Sequence, residues 1–193
     1  MKPIISDFNN SVNSELSALR TIILFGRNVS TYKFALCSAL LKEQAKDELL
    51  YTDIRDNFLK ELITHYNNNQ SQYQSGPNQL TIAIEGYNKD RKWSNLIKIA
   101  EKNIYNNVFD AFHNVGGSSI DKNHILFEND RKSKKIILTD NLNKILEDNF
   151  LSTQIAEENE SRWKIVEEAW KNKLSPNNLV YDATDEVFYS VTQ

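Results

Sequence analysis

The longest helical pattern of this 193-residue sequence lies near its C-terminal end, and it constrains the fold more than any other feature. Between about residues 153 and 172, one face is apolar and is predicted to point inward: Ile155, Trp163, Val166, Ala169 and Trp170. The other face is acidic and is predicted to meet water: Glu157, Glu158, Glu160, Glu167 and Glu168. A helix of this kind needs neighbours that cover its apolar face, which favours a helical bundle.

Shorter helical patterns precede it. They cover residues 11–25 (ended by Gly26), a stretch capped by Ser30, a stretch capped by Thr52 with Asp53 in its first turn, residues 92–112 (ended by Gly116 and Gly117), and a short stretch capped by Thr139 or Asp140. Extended structure is predicted for residues 80–84, for a hairpin around the turn 128–135, and for the tail around residues 183–185. The polar residues 67–79 are interpreted as a solvated loop, with a binding lid as the alternative. The sequence therefore predicts a mainly α fold, a multi-helix bundle with one or two short β-hairpins in its C-terminal half.

Composition narrows the class of protein. The net charge of -3 and the pI near 5.7 disfavour a dedicated nucleic-acid coat, although a local basic face remains compatible with them. Cys37 is the single cysteine, so the chain has no internal disulfide, and we expect it to be buried. No secretory signal and no stretch of roughly 20 apolar residues is found, which predicts a cytoplasmic protein without a membrane span.

A polar segment at the entrance of the second helix, residues 27–33, is the strongest candidate for specific recognition. It brings two cations, Arg27 and Lys33, next to several side chains that form hydrogen bonds: Asn28, Ser30, Thr31 and Tyr32. A helix cap needs only one such side chain. The segment therefore predicts a binding site in which the cations contact phosphate while Asn28 and Thr31 orient them. The alternative is a purely structural role.

Two basic clusters could extend such a surface. The first contains Lys89, Arg91 and Lys92, and the second contains Arg131, Lys132, Lys134 and Lys135. Either cluster could meet phosphates, and Trp93 or Tyr87 could stack a base beside the first. The alternative interpretation is that these cations are ordinary charges on exposed loop tips.

No catalytic or metal-binding pattern is present in the sequence. The three histidines lack partners at metal-ligand spacing, and no phosphate-binding loop or nucleophile elbow is found. His113 is predicted to be a cation that complements a helix end, with general base as the alternative. Arg162 is predicted to pair with Glu158 within the last helix, and Trp163 is predicted to anchor the core.

Five segments, taken in order, carry a family resemblance: LFGRNVSTYKFALCSALL, NVFDAFHNVGG, a Phe127 hairpin leading into IILTDNL, EENESRWKIVEEAW and LVYDATDEVFYSVT. Together they resemble the N-terminal region of bacterial HNH endonuclease family proteins, a type met among restriction and phage-defence genes. In those proteins the nuclease centre, a ββα-metal motif with paired histidines, follows this region. Here no histidine follows His124, so the catalytic residues are absent from this sequence, and a divalent metal is implied only if an HNH domain follows.

The resemblance implies a helical accessory domain over residues 1–173, followed by an extended tail or hairpin over residues 174–193 that could link to a nuclease domain. The positions that would carry over are Arg27, Asn28, Thr31, Tyr32, Lys33, His113, Arg162 and Trp163, none of them with a catalytic role. The predicted function is recognition of DNA or RNA, or positioning of a nuclease centre, in a bacterial defence protein. The alternative is a protein-interaction subunit, an adaptor or inhibitor, without affinity for nucleic acid.

Overall fold

The computed structural model of the chain describes residues 14–182, 184–185 and 187–190. The fold is mainly α, as predicted. Its helices are α1 (Ser14–Phe25), α2 (Tyr32–Leu41), α3 (Tyr51–Asn68), α4 (Gln79–Asp90), α5 (Trp93–Asn103), α6 (Phe109–Ala111), α7 (Asp140–Glu147) and α8 (Asn149–Lys171). A π-helical segment (Ile104–Val108) joins α5 to α6, and a 3₁₀ turn covers Lys122–His124.

Helix α2 forms the centre of the bundle. Eight of its ten residues are buried, so it is apolar on all sides rather than amphipathic. Helices α3 and α8 pack against it and contribute Phe58 and Trp163, both fully buried. Phe34 of α2 stacks on Trp163 with ring centroids 6.0 Å apart. Cys37 is buried in this core, as expected for a small hydrophobic residue.

The strands are short and antiparallel. They are β1 (Glu48–Leu50), β2 (Asn114–Val115), β3 (Ser118–Ser119), β4 (Phe127–Asp130), β5 (Lys135–Leu138), β6 (Leu179–Asp182) and β7 (Val187–Ser190). The predicted hairpin around residues 128–135 is β4–β5, and β1 adds to it to give the order β1-β5-β4. Leu49 pairs with Ile136, and both are buried, so this small sheet covers one side of the helices. The predicted tail strands are β6 and β7, which pair with each other.

Three local predictions are wrong. Residues 80–84 belong to α4 and not to a strand, because Asn78 caps this helix by accepting hydrogen bonds from the amides of Leu80 and Thr81, both at 3.0 Å. Gly116 and Gly117 do not end a helix but form the turn of the β2–β3 hairpin, where φ values of 61° and 94° suit glycine. Helix α3 begins at Tyr51, ahead of the predicted cap Thr52.

The ends of other elements also differ from the prediction. Helix α8 begins at Asn149, about four residues early, because the carboxylate of Asp148 accepts hydrogen bonds from the amides of Phe150 and Leu151. Thr31, not Ser30, occupies the N-cap of α2. The predicted start of the first helix at residues 11–13 lies outside the described residues. The boundary at residue 173 stays a prediction, although α8 ends at Lys171. No helix in the described part of the chain is long and apolar enough to cross a membrane.

Candidate anion-binding pocket

The 27–33 segment borders a pocket of about 350 Å³, here called the Arg27 pocket. Its walls come from the start of α2, the loop before α4, and the end of α5 with the π-helical segment. They are formed by Arg27, Val29, Ser30, Tyr32, Lys33, Tyr73, Asn78, Gln79, Asn103, Asn107, Val108 and Ala111. The pocket therefore combines two cations with hydroxyl and amide groups.

Lys33 is the most unusual of these residues. Its side chain is buried, with 8% of the residue exposed, and Nζ donates a hydrogen bond to the backbone oxygen of Asn114 at 2.6 Å. No carboxylate among the described residues forms an ion pair with it. Burial lowers the pKa of Lys33 to about 8, so the amine is still largely charged at neutral pH. Lys33 is therefore a buried part of the pocket wall, and its predicted contact with phosphate stays a prediction.

Gly26 leaves the space that the Lys33 amine occupies. A Cβ at this position would come within 2.8 Å of the Lys33 Nζ and 2.3 Å of the backbone oxygen of Ile22. Both distances are shorter than real contacts, so any larger residue would displace the lysine or the end of α1. The glycine predicted as a helix stop has this second role of close approach.

Arg27 and Asn28 differ in their exposure. Arg27 is exposed at the pocket, free to meet a ligand from solvent. Asn28 is half-buried, and its Oδ1 atom is buried without a hydrogen-bond partner among the described residues. Asn28 does not line the pocket.

Tyr32 and Asn78 form a fixed part of the wall. The Tyr32 hydroxyl donates to Asn78 Oδ1 at 2.9 Å, and the same oxygen caps α4. Burial raises the pKa of Tyr32, so its hydroxyl stays protonated. Tyr32 therefore presents a neutral ring to the pocket, and its hydroxyl already donates its hydrogen bond to Asn78.

Thr31 lies behind the pocket in a buried polar network. It is fully buried, and its hydroxyl donates to Gln72 Oε1, which also accepts from Trp163 Nε1 at 3.1 Å. The Gln72 amide donates to Glu167 Oε1, which accepts from His65 Nδ1 at 2.8 Å as well. Thr31 cannot contact a ligand, and instead it fixes the start of α2 to the loop. Gln72 is also fully buried, which corrects the prediction that residues 67–79 are only a solvated connection.

The π-helical segment supplies the opposite wall. One extra residue in the turn widens the helix between Ile104 and Val108, and π-helical turns occur frequently at functional sites. Asn103 and Asn107 line the pocket from here, and Asn107 is exposed. Asn103 donates its amide to the backbone oxygen of Ile99 at 2.8 Å, so Asn107 is the more available of the two.

The prediction of a cationic His113 is wrong. The ring is buried, and Nε2 accepts a hydrogen bond from the Leu126 amide at 3.0 Å. Burial and the charge of Lys33 lower the pKa of His113 to about 4, so the imidazole is neutral. It joins the end of α6 to the segment before β4.

The first basic cluster is partly neutralised by carboxylates. Lys89 pairs with Glu85 at 2.8 Å, and Lys92 lies 3.8 Å from Asp90. Arg91 forms no ion pair among the described residues and lies with its guanidinium carbon 5.5 Å from the centre of the Tyr87 ring.

The second cluster is similar. Arg131 pairs with Asp110, and Lys135 pairs with Glu48. Lys132 and Lys134 are exposed at the β4–β5 turn. The second cluster is joined to the start of α3, because the backbone amide of Tyr51 donates a hydrogen bond to the backbone oxygen of Lys134. Arg91 of the first cluster lines a groove together with Lys60, which also lies on α3. Nine residues of helix separate these points, about 14 Å along the axis.

Arg162 and Trp163 hold the architecture together. Trp163 is fully buried, as predicted. The predicted pair of Arg162 with Glu158 is wrong, because Glu158 binds Arg20 of α1 at 2.6 Å. Arg162 instead donates to the backbone oxygens of Leu24 and Pro176 and to Asn177 Oδ1.

Several pocket residues were not predicted, namely Tyr73, Asn78, Gln79, Asn103 and Asn107. The Pro77-Asn78 pair followed by Thr81 was an available signal for the cap of α4. Nothing in the local sequence indicates that Asn103 and Asn107 face Arg27. Within the described residues, no group of three or more His, Cys, Asp or Glu side chains could hold a metal ion.

Comparisons with protein-family models, with curated proteins and with solved structures find no match for this chain.

Proposed function

We propose that this chain recognises nucleic acid by binding a phosphate group in the Arg27 pocket. The observation that carries the proposal is Lys33, a residue of the pocket wall whose buried amine has no carboxylate partner among the described residues. A buried charge without a counter-charge is costly, and an anionic ligand would remove that cost. Arg27 at the same pocket can form two parallel hydrogen bonds to phosphate.

The size and lining of the pocket favour a small part of a nucleic acid. A volume of about 350 Å³ is at the low end for ligand pockets and is too small for a duplex. One phosphate with its sugar fits this space better. The amides of Asn107 and Gln79 and the hydroxyl of Ser30 supply uncharged groups that can bind sugar and phosphate oxygens.

The proposal includes the role implied by the HNH resemblance. The chain would act as an accessory module that positions a nuclease centre carried by another domain or another chain, in a bacterial defence protein. Its phosphate site would hold the strand while the separate centre cleaves it.

The alternative, a protein-interaction subunit without affinity for nucleic acid, is favoured by the pairing of the basic clusters. Lys89, Lys92, Arg131 and Lys135 all have carboxylate partners, which reduces the positive field that nucleic acid would meet. An acidic segment of a protein partner could occupy the same pocket. The salt dependence of nucleic-acid binding separates the two functions, because phosphate contacts release counterions.

The test is binding of fluorescent 12-nucleotide DNA and RNA, with and without a 5′-phosphate, measured by anisotropy at several salt concentrations. Charge reversal at Lys33 is unsuitable, because a buried carboxylate next to the Asn114 carbonyl would disrupt the fold. Arg27→Glu changes only an exposed side chain, and we expect it to weaken binding about fivefold or more at low salt. The matched control is Lys171→Glu, which reverses an exposed charge at the end of α8.

The pH dependence adds a second readout for Lys33. Binding should weaken as the pH rises through about 8, because the neutral amine no longer attracts phosphate. If the wild-type chain binds no nucleic acid at low salt, the proposal is refuted and the adaptor function takes its place. Equal weakening by both charge reversals would show only a general electrostatic effect.

A further inference from the structure

We infer that a second site, here called the Trp93 groove, binds an unpaired base of a single-stranded nucleic acid. The inference rests on the proposed function and names the form of nucleic acid that the chain selects. The groove has a volume of about 440 Å³ and lies where the α4–α5 connection meets α3. Its lining residues are Lys60, Ile63, Thr64, Tyr87, Arg91 and Trp93.

Two aromatic rings form a rigid platform in this groove. Tyr87 and Trp93 meet edge to face, with ring centroids 5.3 Å apart and an angle of 69° between their planes. Both rings are half-buried and pack against the core, yet both line the groove. A base that stacks here meets rings whose positions are already fixed, which lowers the entropy cost of binding.

Two cations without ion pairs in the described chain accompany the rings. Lys60 is exposed on α3, and Arg91 lies over the Tyr87 ring at 5.5 Å. The neighbouring Lys89 and Lys92 have carboxylate partners. The groove therefore places two cations without ion pairs among the described residues beside two rings that can stack a base.

The backbone conformation at Arg91 provides a way to test the groove. Its φ is +57°, in the left-handed region at the C-terminal end of α4, where its amide donates to the Tyr87 oxygen at 2.8 Å. Glycine is the favoured residue at such a position. The chain has arginine there instead, so replacing it by glycine removes the guanidinium from the groove without straining the backbone.

The groove selects unpaired bases for a geometric reason. The faces of bases in a duplex are covered by their neighbours, so they cannot stack on Tyr87 or Trp93. A flexible single strand exposes those faces, and its phosphates can reach Lys60 and Arg91. We therefore expect single strands to bind and a duplex of equal length to bind weakly at this site.

The experiment is a titration of tryptophan fluorescence with a 12-nucleotide oligothymidine and with a 12-base-pair duplex. Stacking on Trp93 should quench the emission with the single strand and not with the duplex. Trp93→Ala removes the stacking ring, so it should abolish the quenching and weaken single-strand binding, followed by anisotropy, about 5- to 150-fold. Trp170→Ala is the matched control, because Trp170 is also half-buried but does not line the groove, so single-strand binding and the quenching should both persist.

Arg91→Gly tests the groove without damaging the fold. Glycine suits the left-handed conformation, so the variant should be as stable as the wild type, while single-strand binding should fall. Unchanged binding in both Trp93→Ala and Arg91→Gly would overturn the inference. If anisotropy still shows binding that Arg27→Glu weakens, the groove fails while the proposed function stands. If the wild type binds neither single strand nor duplex, both fail together.

Discussion

Replacing Glu167 should test whether the buried polar network joins α8 to the rest of the fold. The acidic pattern of α8 predicts that Glu167 faces water, but this residue is 4% exposed. Its carboxylate accepts hydrogen bonds from His65 on α3 and from Gln72 in the loop behind the Arg27 pocket. The His65 ring stacks on Trp163 with centroids 3.5 Å apart. Glu167→Ala would therefore leave His65 and Gln72 without their shared acceptor.

The size of the effect follows from burial. The side chains of His65 and Glu167 are 8% and 5% exposed, so neither can replace its lost partner with bulk water. Glu160 remains beside His65 in Glu167→Ala, so the cost is that of buried donors that lose an acceptor, about 1–3 kcal/mol. In a chain of this length that corresponds to a fall in Tm of about 2–12 °C. The control is Glu168→Ala, because Glu168 is exposed and its carboxylate contacts the exposed side chains of Lys171 and Asn172, so the cost should stay within about 0.5 kcal/mol.

The pH dependence identifies the charge on His65. Burial opposes the charged imidazole, but the hydrogen bonds and charges of Glu167 and Glu160 outweigh it and raise the pKa of His65. Lys164 of α8 pairs with Glu160 on the side away from the imidazole contact. A raised pKa in the folded state stabilises the fold fully below the ordinary histidine value of about 6.5, and the stabilisation is lost as the pH rises through the folded value.

The assay is urea denaturation of the wild type and both variants between pH 5 and pH 9. The stability gap between wild type and Glu167→Ala should be widest at low pH and should narrow as His65 loses its proton. The hydrogen bond from Gln72 should keep part of the gap at high pH. A gap no larger than that of Glu168→Ala would refute the reasoning. A gap of constant size would show that His65 is neutral.

Two other predictions concern His113 and Arg162. The imidazole of His113 should titrate near pH 4 by NMR. Because its pKa in the folded state lies below the ordinary value, the free energy of unfolding should fall as the pH drops from about 6.5 towards 4. A titration near the ordinary value of about 6.5 would contradict the burial of the ring. Arg162→Ala should cost about 1–3 kcal/mol in urea denaturation, because it removes charged hydrogen bonds to the backbone oxygens of half-buried Leu24 and Pro176. Arg162→Lys should restore little, since one amine cannot replace three directed bonds, and full rescue by lysine would show that only the charge matters.

Much of the fold could be predicted because helical periodicity is a local property. The core faces of α3, α5 and α8 follow from the spacing of Phe58, Leu96 and Trp163, and the β4–β5 and β6–β7 hairpins follow from short apolar runs around polar turns. The prediction of a strand at residues 80–84 is wrong because five residues of mixed polarity are compatible with a strand and with a helix. The cap at Asn78 decides between them.

The candidate site was predictable in part. The 27–33 segment does border a pocket, and its composition of cations and hydrogen-bonding side chains was the signal. The burial of Lys33 was not predictable, because its partner Asn114 lies 81 positions away in the sequence. For the same reason the sequence could not show that Asn103 and Asn107 face Arg27, or that Lys60 joins Arg91 and Trp93 in one groove.

By itself, the sequence determined that the chain is a mainly α bundle with late hairpins and that residues 27–33 are unusual. Those features depend on spacing within a few residues, which the backbone geometry of a helix or a strand converts directly into faces. Only the tertiary structure decided which charges are paired and which are not. Glu158 pairs with Arg20, 138 positions away in the sequence, and not with Arg162 of its own helix. Glu167 faces inward and contacts His65, 102 positions away. An ion pair depends on distance in space and on exclusion of water, and both are set when the helices pack.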